Sequence, residues 1–86
     1  MKYSVYLIIT KRLNKYFTYV GYTKNMENRL FLHNSSKGAK YTRGNIWHLV
    51  YIKSYNSKSL AMKEEYKLKK DYLLRKRIKN KYLKNK

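Results

Sequence analysis

The spacing of apolar and polar positions divides the chain into short segments. Residues 3–10 (YSVYLIIT) are β-branched and aromatic, the pattern of a strand buried on both faces. Residues 11–16 (KRLNKY) are polar around Asn14 and predict a turn. Residues 17–22 (FTYVGY) predict a second strand, so 3–22 reads as a hairpin with a loop of several residues. Gly21 interrupts that strand pattern and signals a bulge or a close backbone approach. Asn25 suits the N-cap of a helix over 26–34, and Glu27 in its first turn suits the helix dipole. Met26, Leu30 and Phe31 mark the buried stripe of that helix. Residues 35–45 (SSKGAKYTRGN) read as a loop with room for one helical turn. Residues 46–55 (IWHLVYIKSY) predict a third strand. Ser57 or Ser59 can cap a helix over about 60–70. From Asp71 the helical pattern (Leu73, Leu74, Ile78, Tyr82) continues or restarts, and the last residues (KYLKNK) are expected to fray. The order ββα-β-αα predicts one α/β (α+β) domain over residues 1–86, a small three-stranded mixed or antiparallel sheet flanked by helices.

Composition adds a partner. Twenty-two Lys and Arg stand against four acids, a net charge of +18 on 86 residues. Such a charge repels itself and favours a polyanion, so nucleic acid is the expected partner. A ribosome-bound or membrane-surface basic protein is the bland alternative. Eleven tyrosines among the cations add rings that can stack and hydroxyls that can bond phosphate. The absence of cysteine excludes disulfides and thiolate metal sites. No apolar run is long enough to span a membrane, and the N-terminus lacks a signal-peptide pattern. The expected location is therefore intracellular: cytoplasmic and nucleoid-associated.

Scarcity narrows the chemistry. The acids are Glu27, Glu64, Glu65 and Asp71, and the histidines are His33 and His48. That excludes a histidine-rich metal site, and the absence of a Walker loop or GxGxxG leaves nucleotide hydrolysis unsupported. Arg29 and His33, four residues apart, share one helix face, near the edge of the buried stripe. On a helical wheel Glu65 falls inside the apolar arc of the 60–70 helix, while Glu64 lies between Leu60 and Leu68. A carboxylate among apolar groups must be paired or bind a metal. Periodicity does not choose between the two glutamates, and a salt bridge to a neighbouring lysine would serve either.

Taken in order, these residues resemble the GIY-YIG nuclease superfamily. Ser4-Val5-Tyr6 stands as the first motif and Tyr19-Val20-Gly21 as the second. Arg29 follows Gly21 by eight residues, His33-Asn34 matches the "HN" of the structure-specific branch, and the run from Lys37 to Gly44 resembles small single-domain bacterial members. Ala61, four residues before Glu65, matches the spacing to the family's metal-binding glutamate and selects Glu65 over Glu64. Three departures stand out. Ser4 replaces the first motif's Gly, Tyr22 replaces a lysine of the excision-repair branch, and Tyr6 and Tyr19 lie thirteen apart, which implies a longer hairpin loop.

The resemblance implies a metal-dependent DNA endonuclease. One divalent cation, Mg²⁺ or Mn²⁺, would sit on Glu65, since such an ion needs only one or two carboxylates. Arg29 would hold the phosphate as a planar fork. Tyr6 would be the general base and Tyr19 would position the water, or the reverse. The surrounding cations are expected to lower the base's pKa. His33 would bond a tyrosine hydroxyl or the phosphate, and Gly21 would allow close approach. Tyr22, Lys24, Asn34, Lys37, Lys40, Tyr41, Arg43, Lys69 and Lys70 are the expected nucleic-acid contacts. Branched, flapped or damaged duplex is the expected substrate, because no second DNA-reading module is present. A protein partner or a homodimer is compatible with the sequence. The competing reading is a non-catalytic DNA- or RNA-binding module on the same fold.

Overall fold

The computed structural model describes residues 2–85. Strand β1 spans Tyr3–Arg12 and pairs antiparallel with β2, Lys15–Thr23, on one side and with β3, His48–Tyr55, on the other. The sheet order is β2-β1-β3, so the sheet is wholly antiparallel rather than mixed and its most apolar strand is central. Six consecutive residues of β1, Val5 to Thr10, are buried, as expected for a strand covered on both faces.

The hairpin loop is shorter than expected. Arg12 pairs with Lys15, leaving only Leu13 and Asn14 to turn the chain. Both take positive φ, 51° and 67°, the pattern of a type I′ turn. The extra residues between Tyr6 and Tyr19 therefore lengthen the ladder, not the loop. The polar residues 11 and 12 pair with 15 and 16 in an exposed extension of the hairpin, where alternation gives no burial signal.

Helix α1 spans Met26–Asn34, and the Asn25 side chain accepts a hydrogen bond from the Asn28 amide as its N-cap. A single 3₁₀ turn, Lys40–Thr42, occupies the following loop. β3 begins two residues later than expected, and the Trp47 amide and carbonyl before it bond the Asn34 side chain instead. Helix α2 spans Lys58–Lys70 with Ser57 as the capping residue. Asp71 ends α2, and its carboxylate accepts from the Leu74 amide to cap α3, Tyr72–Lys84. The pattern therefore restarts at Asp71. α3 also holds further toward the C-terminus than expected; of the residues expected to fray, Lys86 lies outside the described ones.

The sheet is covered on both faces. Val5, Leu7 and Val20 pack with Ala61 and Leu68 of α2, joined by Leu74 and Ile78 of α3. On the opposite face Tyr6 and Ile8 pack with Trp47, Met26 and Leu30. Phe31, expected in the buried stripe of α1, is 65% exposed. His33 takes that place and is fully buried. Among the described residues no helix is long and apolar enough to cross a membrane.

Candidate active site

The hairpin register sets the site. Tyr6 lies opposite Gly21 and Ile8 opposite Tyr19, so both motif tyrosines project from the same face of the sheet. Gly21 is needed there. A Cβ at that position would collide with the Tyr6 hydroxyl and lie 2.7 Å from Cζ. The absent side chain lets the Tyr6 ring lie across β2, the outer strand. There an open cleft of about 590 Å³ collects Tyr6, Tyr19 and Gly21 from the hairpin, Asn28 and Arg29 from α1, and Lys58 and Glu65 from α2. Tyr22 and Lys24 line it as well, with Tyr3 and Thr23. α1 and α2 cover opposite faces, so the cleft gathers both at the sheet's β2 edge.

Of the two glutamates, Glu65 faces this cleft, while Glu64 lines a separate groove beside Tyr51 and Tyr55. Glu65 Oε1 lies 3.5 Å from Lys69 Nζ, and its side chain is 18% exposed. No group of three His, Cys, Asp or Glu side chains that could cage a metal exists among the described residues. A lone carboxylate beside tyrosine hydroxyls suits an ion that keeps most of its waters and takes its remaining ligand from a substrate phosphate. The donor set fits Mg²⁺ in that mode and does not fit zinc.

Beneath the cleft runs a buried hydrogen-bond chain. Tyr6 Oη lies 2.9 Å from His33 Nε2, and His33 Nδ1 lies 2.8 Å from Thr42 Oγ1. Thr42 Oγ1 is also 2.7 Å from the Ala39 carbonyl. A carbonyl oxygen only accepts, so the Thr42 hydroxyl donates to Ala39 and accepts from His33 Nδ1–H. Neutral His33 must then accept at Nε2, and Tyr6 donates its phenolic proton to it. Burial and the nearby Arg29 guanidinium hold the His33 pKa below its ordinary value, which favours this neutral ring. Gly38 closes over the ring, since a Cβ there would meet Nδ1 at 2.5 Å.

Two sequence expectations are corrected here. The pKa of Tyr6 is raised, not lowered: burial outweighs the opposing pull of Arg29, and Tyr19 and Glu65 add to the rise. His33 lies in the interior, and its ring nitrogens are committed to Tyr6 and Thr42, so of its two expected roles only the tyrosine bond is open to it.

Asn34, expected to contact nucleic acid, is also committed elsewhere. It accepts from the Trp47 amide at 2.6 Å and donates to the Trp47 carbonyl at 3.2 Å, while Trp47 Nε1 donates to the Thr42 carbonyl. These bonds brace the loop that carries Thr42. Among the other expected contacts, Lys37, Lys40, Arg43 and Lys70 are exposed but do not line this cleft. Tyr41 is exposed and stacks on Tyr19 with ring centroids 6.0 Å apart. Lys24 reaches over the Tyr3 ring at 5.5 Å. Asn28 and Lys58 carry no signal in the sequence, and Gly38 and Thr42 lie in the 37–44 run that resembles small family members but are not singled out within it.

The description of the GIY-YIG catalytic domain matches residues 2–82. A UPF0213 protein of Oceanobacillus iheyensis is 52% identical over 52 residues, which span 59% of this chain and 60% of that relative. A UPF0213 protein of Staphylococcus haemolyticus is 44% identical over 69 residues, 79% of this chain and 80% of the relative. The solution NMR structure of a UPF0213 protein from Bacillus halodurans is 36% identical and covers 100% of this chain and 86% of its own, with a TM-score of 0.45.

Proposed function

The chain belongs to the GIY-YIG family, a nuclease fold, and from that premise we propose that it is a divalent-metal-dependent endonuclease that hydrolyses DNA phosphodiester bonds. The observation that carries this reading is the meeting of Tyr6, Tyr19, Arg29 and Glu65 in one cleft, made possible by Gly21. Binding alone would need the cations; it would not need a carboxylate held where a phosphate must enter.

Arg29 binds the phosphate and neutralises charge that grows as the nucleophile attacks. A cation on Glu65, when bound, supplies further stabilisation at the phosphate and the leaving oxygen. Tyr6 takes a proton from the attacking water as it passes its own to His33 Nε2, so the tyrosine remains neutral and the proton ends on imidazole. This resolves the difficulty that a buried phenol makes a poor phenolate. Thr42 fixes the His33 tautomer that leaves Nε2 open. Tyr19, partly exposed in the same cleft, orients the water or the phosphate. The remaining cations hold the backbone of the substrate with little base readout, which favours DNA of particular shape over a defined sequence.

The test is cleavage of labelled duplex, flap and four-way-junction DNA with Mg²⁺ or Mn²⁺, wild type beside Glu65→Ala. Cutting is expected to vanish in the variant while binding persists. Cutting that survives the substitution, or binding without cutting on every substrate, overturns the enzyme reading; the second result leaves a non-catalytic binding module.

A further inference from the structure

A second, shallower cleft of about 260 Å³ shares Tyr19 with the catalytic cleft. Its other walls are Thr18 and Val20 of β2, Tyr41 of the 3₁₀ turn, Lys69 of α2 and Arg75 of α3. No acidic side chain lines it. Tyr41 is 54% exposed, and its ring stacks on Tyr19 with an interplanar angle of 23°. The two cations are differently held. Lys69 leans toward Glu65 at 3.5 Å, and Arg75 uses Nε on the Leu68 carbonyl, which leaves further guanidinium donors. β2 is an outer strand, so its main chain has no strand partner on the side away from β1. An aromatic platform, two cations and an open strand edge together present what one nucleotide requires: a stacking face, charge for its phosphates and polar groups for its edge.

A paired base cannot use such a platform, because its faces are already covered by its neighbours in the duplex. We propose that this side cleft is a nucleotide subsite. It takes one unpaired base on the Tyr41 ring, with the adjoining phosphates on Lys69 and Arg75. The enzyme thereby selects DNA whose cut strand carries an unpaired nucleotide beside the scissile phosphate. The inference rests on the nuclease reading above, since that reading puts the scissile phosphate in the neighbouring cleft. Lys69 couples the two clefts: its ammonium lies between the Glu65 carboxylate and the proposed nucleotide.

The test is equilibrium binding of the full chain to 2-aminopurine-labelled DNA in EDTA, so that nothing is cut. The reporter base is placed in a single strand, at an unpaired flap junction, or in paired duplex. Stacking should quench the unpaired reporters and leave the paired one nearly unchanged. Tyr41→Ala should abolish the quench, weaken binding of the unpaired probes about ten-fold, and change duplex binding by no more than about two-fold, the pattern of one lost stacking platform. Tyr41→Phe should preserve both quench and affinity. Equal losses on paired and unpaired probes, an unaltered quench in Tyr41→Ala, or a wild-type protein that quenches neither probe overturns the subsite. The wild-type comparison decides even if Tyr41→Ala fails to fold. Cleavage is absent from the measurement, so the two readings fail separately: unpaired-base binding without any cutting sinks the nuclease and spares the subsite, and cutting without the quench does the opposite.

Discussion

On the α2–α3 face of the sheet, Val5, Leu7, Val20, Ala61 and Leu68 bury one another as apolar groups. On the α1 face Tyr6 and His33 are buried as completely, but a directed chain of hydrogen bonds ties them to Thr42. The first face is held by area removed from water, a non-directional force that tolerates exchange of one apolar group for another of similar volume. The second depends on which atom donates and which accepts, and a buried group left without its partner carries a full desolvation penalty. The difference explains where chemistry can reside. An apolar face can position α2 and its Glu65, but only the polar face can hold a proton in a defined place. The two meet at Gly21, where the missing side chain admits the Tyr6 ring to the outer edge.

Gly21→Ala strikes that meeting point and should have the largest effect on cleavage. The new methyl would displace the Tyr6 ring, whose Cζ is 2.7 Å from the added atom. Overpacking of this kind costs about 1–3 kcal/mol, and a displacement near 1 Å at reacting groups lowers cleavage about a hundred-fold. Single-turnover cleavage and thermal melting of the variant check both. Near-normal cutting would show that Tyr6 need not cross β2.

Leu7→Ala cuts into the apolar face. Leu7 is fully buried, and truncation should cost about 2–5 kcal/mol in denaturant melts. Cleavage at a temperature where the variant is folded should stay close to wild type. A large loss of rate in folded protein would mean that the two faces are not separable.

Thr42→Val removes the acceptor for His33 Nδ1–H and keeps the shape of the side chain. The cost in stability should be about 1–3 kcal/mol, that of one buried unsatisfied donor. The distinguishing readout is the tautomer. Nitrogen-15 shifts of His33 should show the proton fixed on Nδ1 in wild type and redistributed in Thr42→Val. Thr42→Ser should restore both the wild-type shifts and cleavage. A tautomer unchanged by the valine would remove Thr42 from the proton path.

The fold was largely legible because its signals are local: β-branched runs, an asparagine cap, a serine cap and an aspartate that both ends and starts a helix. The candidate site was legible in its motif residues through ordered spacing, and Glu65 through the same spacing when periodicity alone was ambiguous. Three things escaped for physical reasons. The strand extension beyond Thr10 is exposed and polar, so its pairing left no alternation to read. The exchange of Phe31 for His33 in the buried stripe depends on the Thr42 loop folding over α1, a contact outside the helix. And the direction of the Tyr6 shift depends on burial among residues distant in sequence, Trp47, Met26 and Leu30, whereas the charge count suggested only the opposing effect of nearby cations.

The smallest expected effect is on acid stability, and it isolates the polar face without altering its shape. His33 is neutral in the fold with a pKa held below its ordinary 6.5. Between the folded value and 6.5 the unfolded chain therefore binds more protons, so the stability of the neutral ring is fully present above about 6.5 and is lost as pH falls toward the folded value. One group contributes at most about 1.4 kcal/mol per pH unit. Carboxylates titrate lower, near about 4, so the first part of an acid titration belongs to imidazole. Thermal melting from pH 7.5 downward should show wild type losing stability below about 6.5, while His33→Gln, which can still accept from Tyr6 and donate to Thr42, lacks that slope. Leu7 and the apolar groups packed with it do not titrate, and Leu7→Ala should therefore retain the wild-type slope on a lower baseline. If His33→Gln kept the slope as well, the slope would come from another group, and the neutral His33 ring that accepts the Tyr6 proton at Nε2 would lose this support.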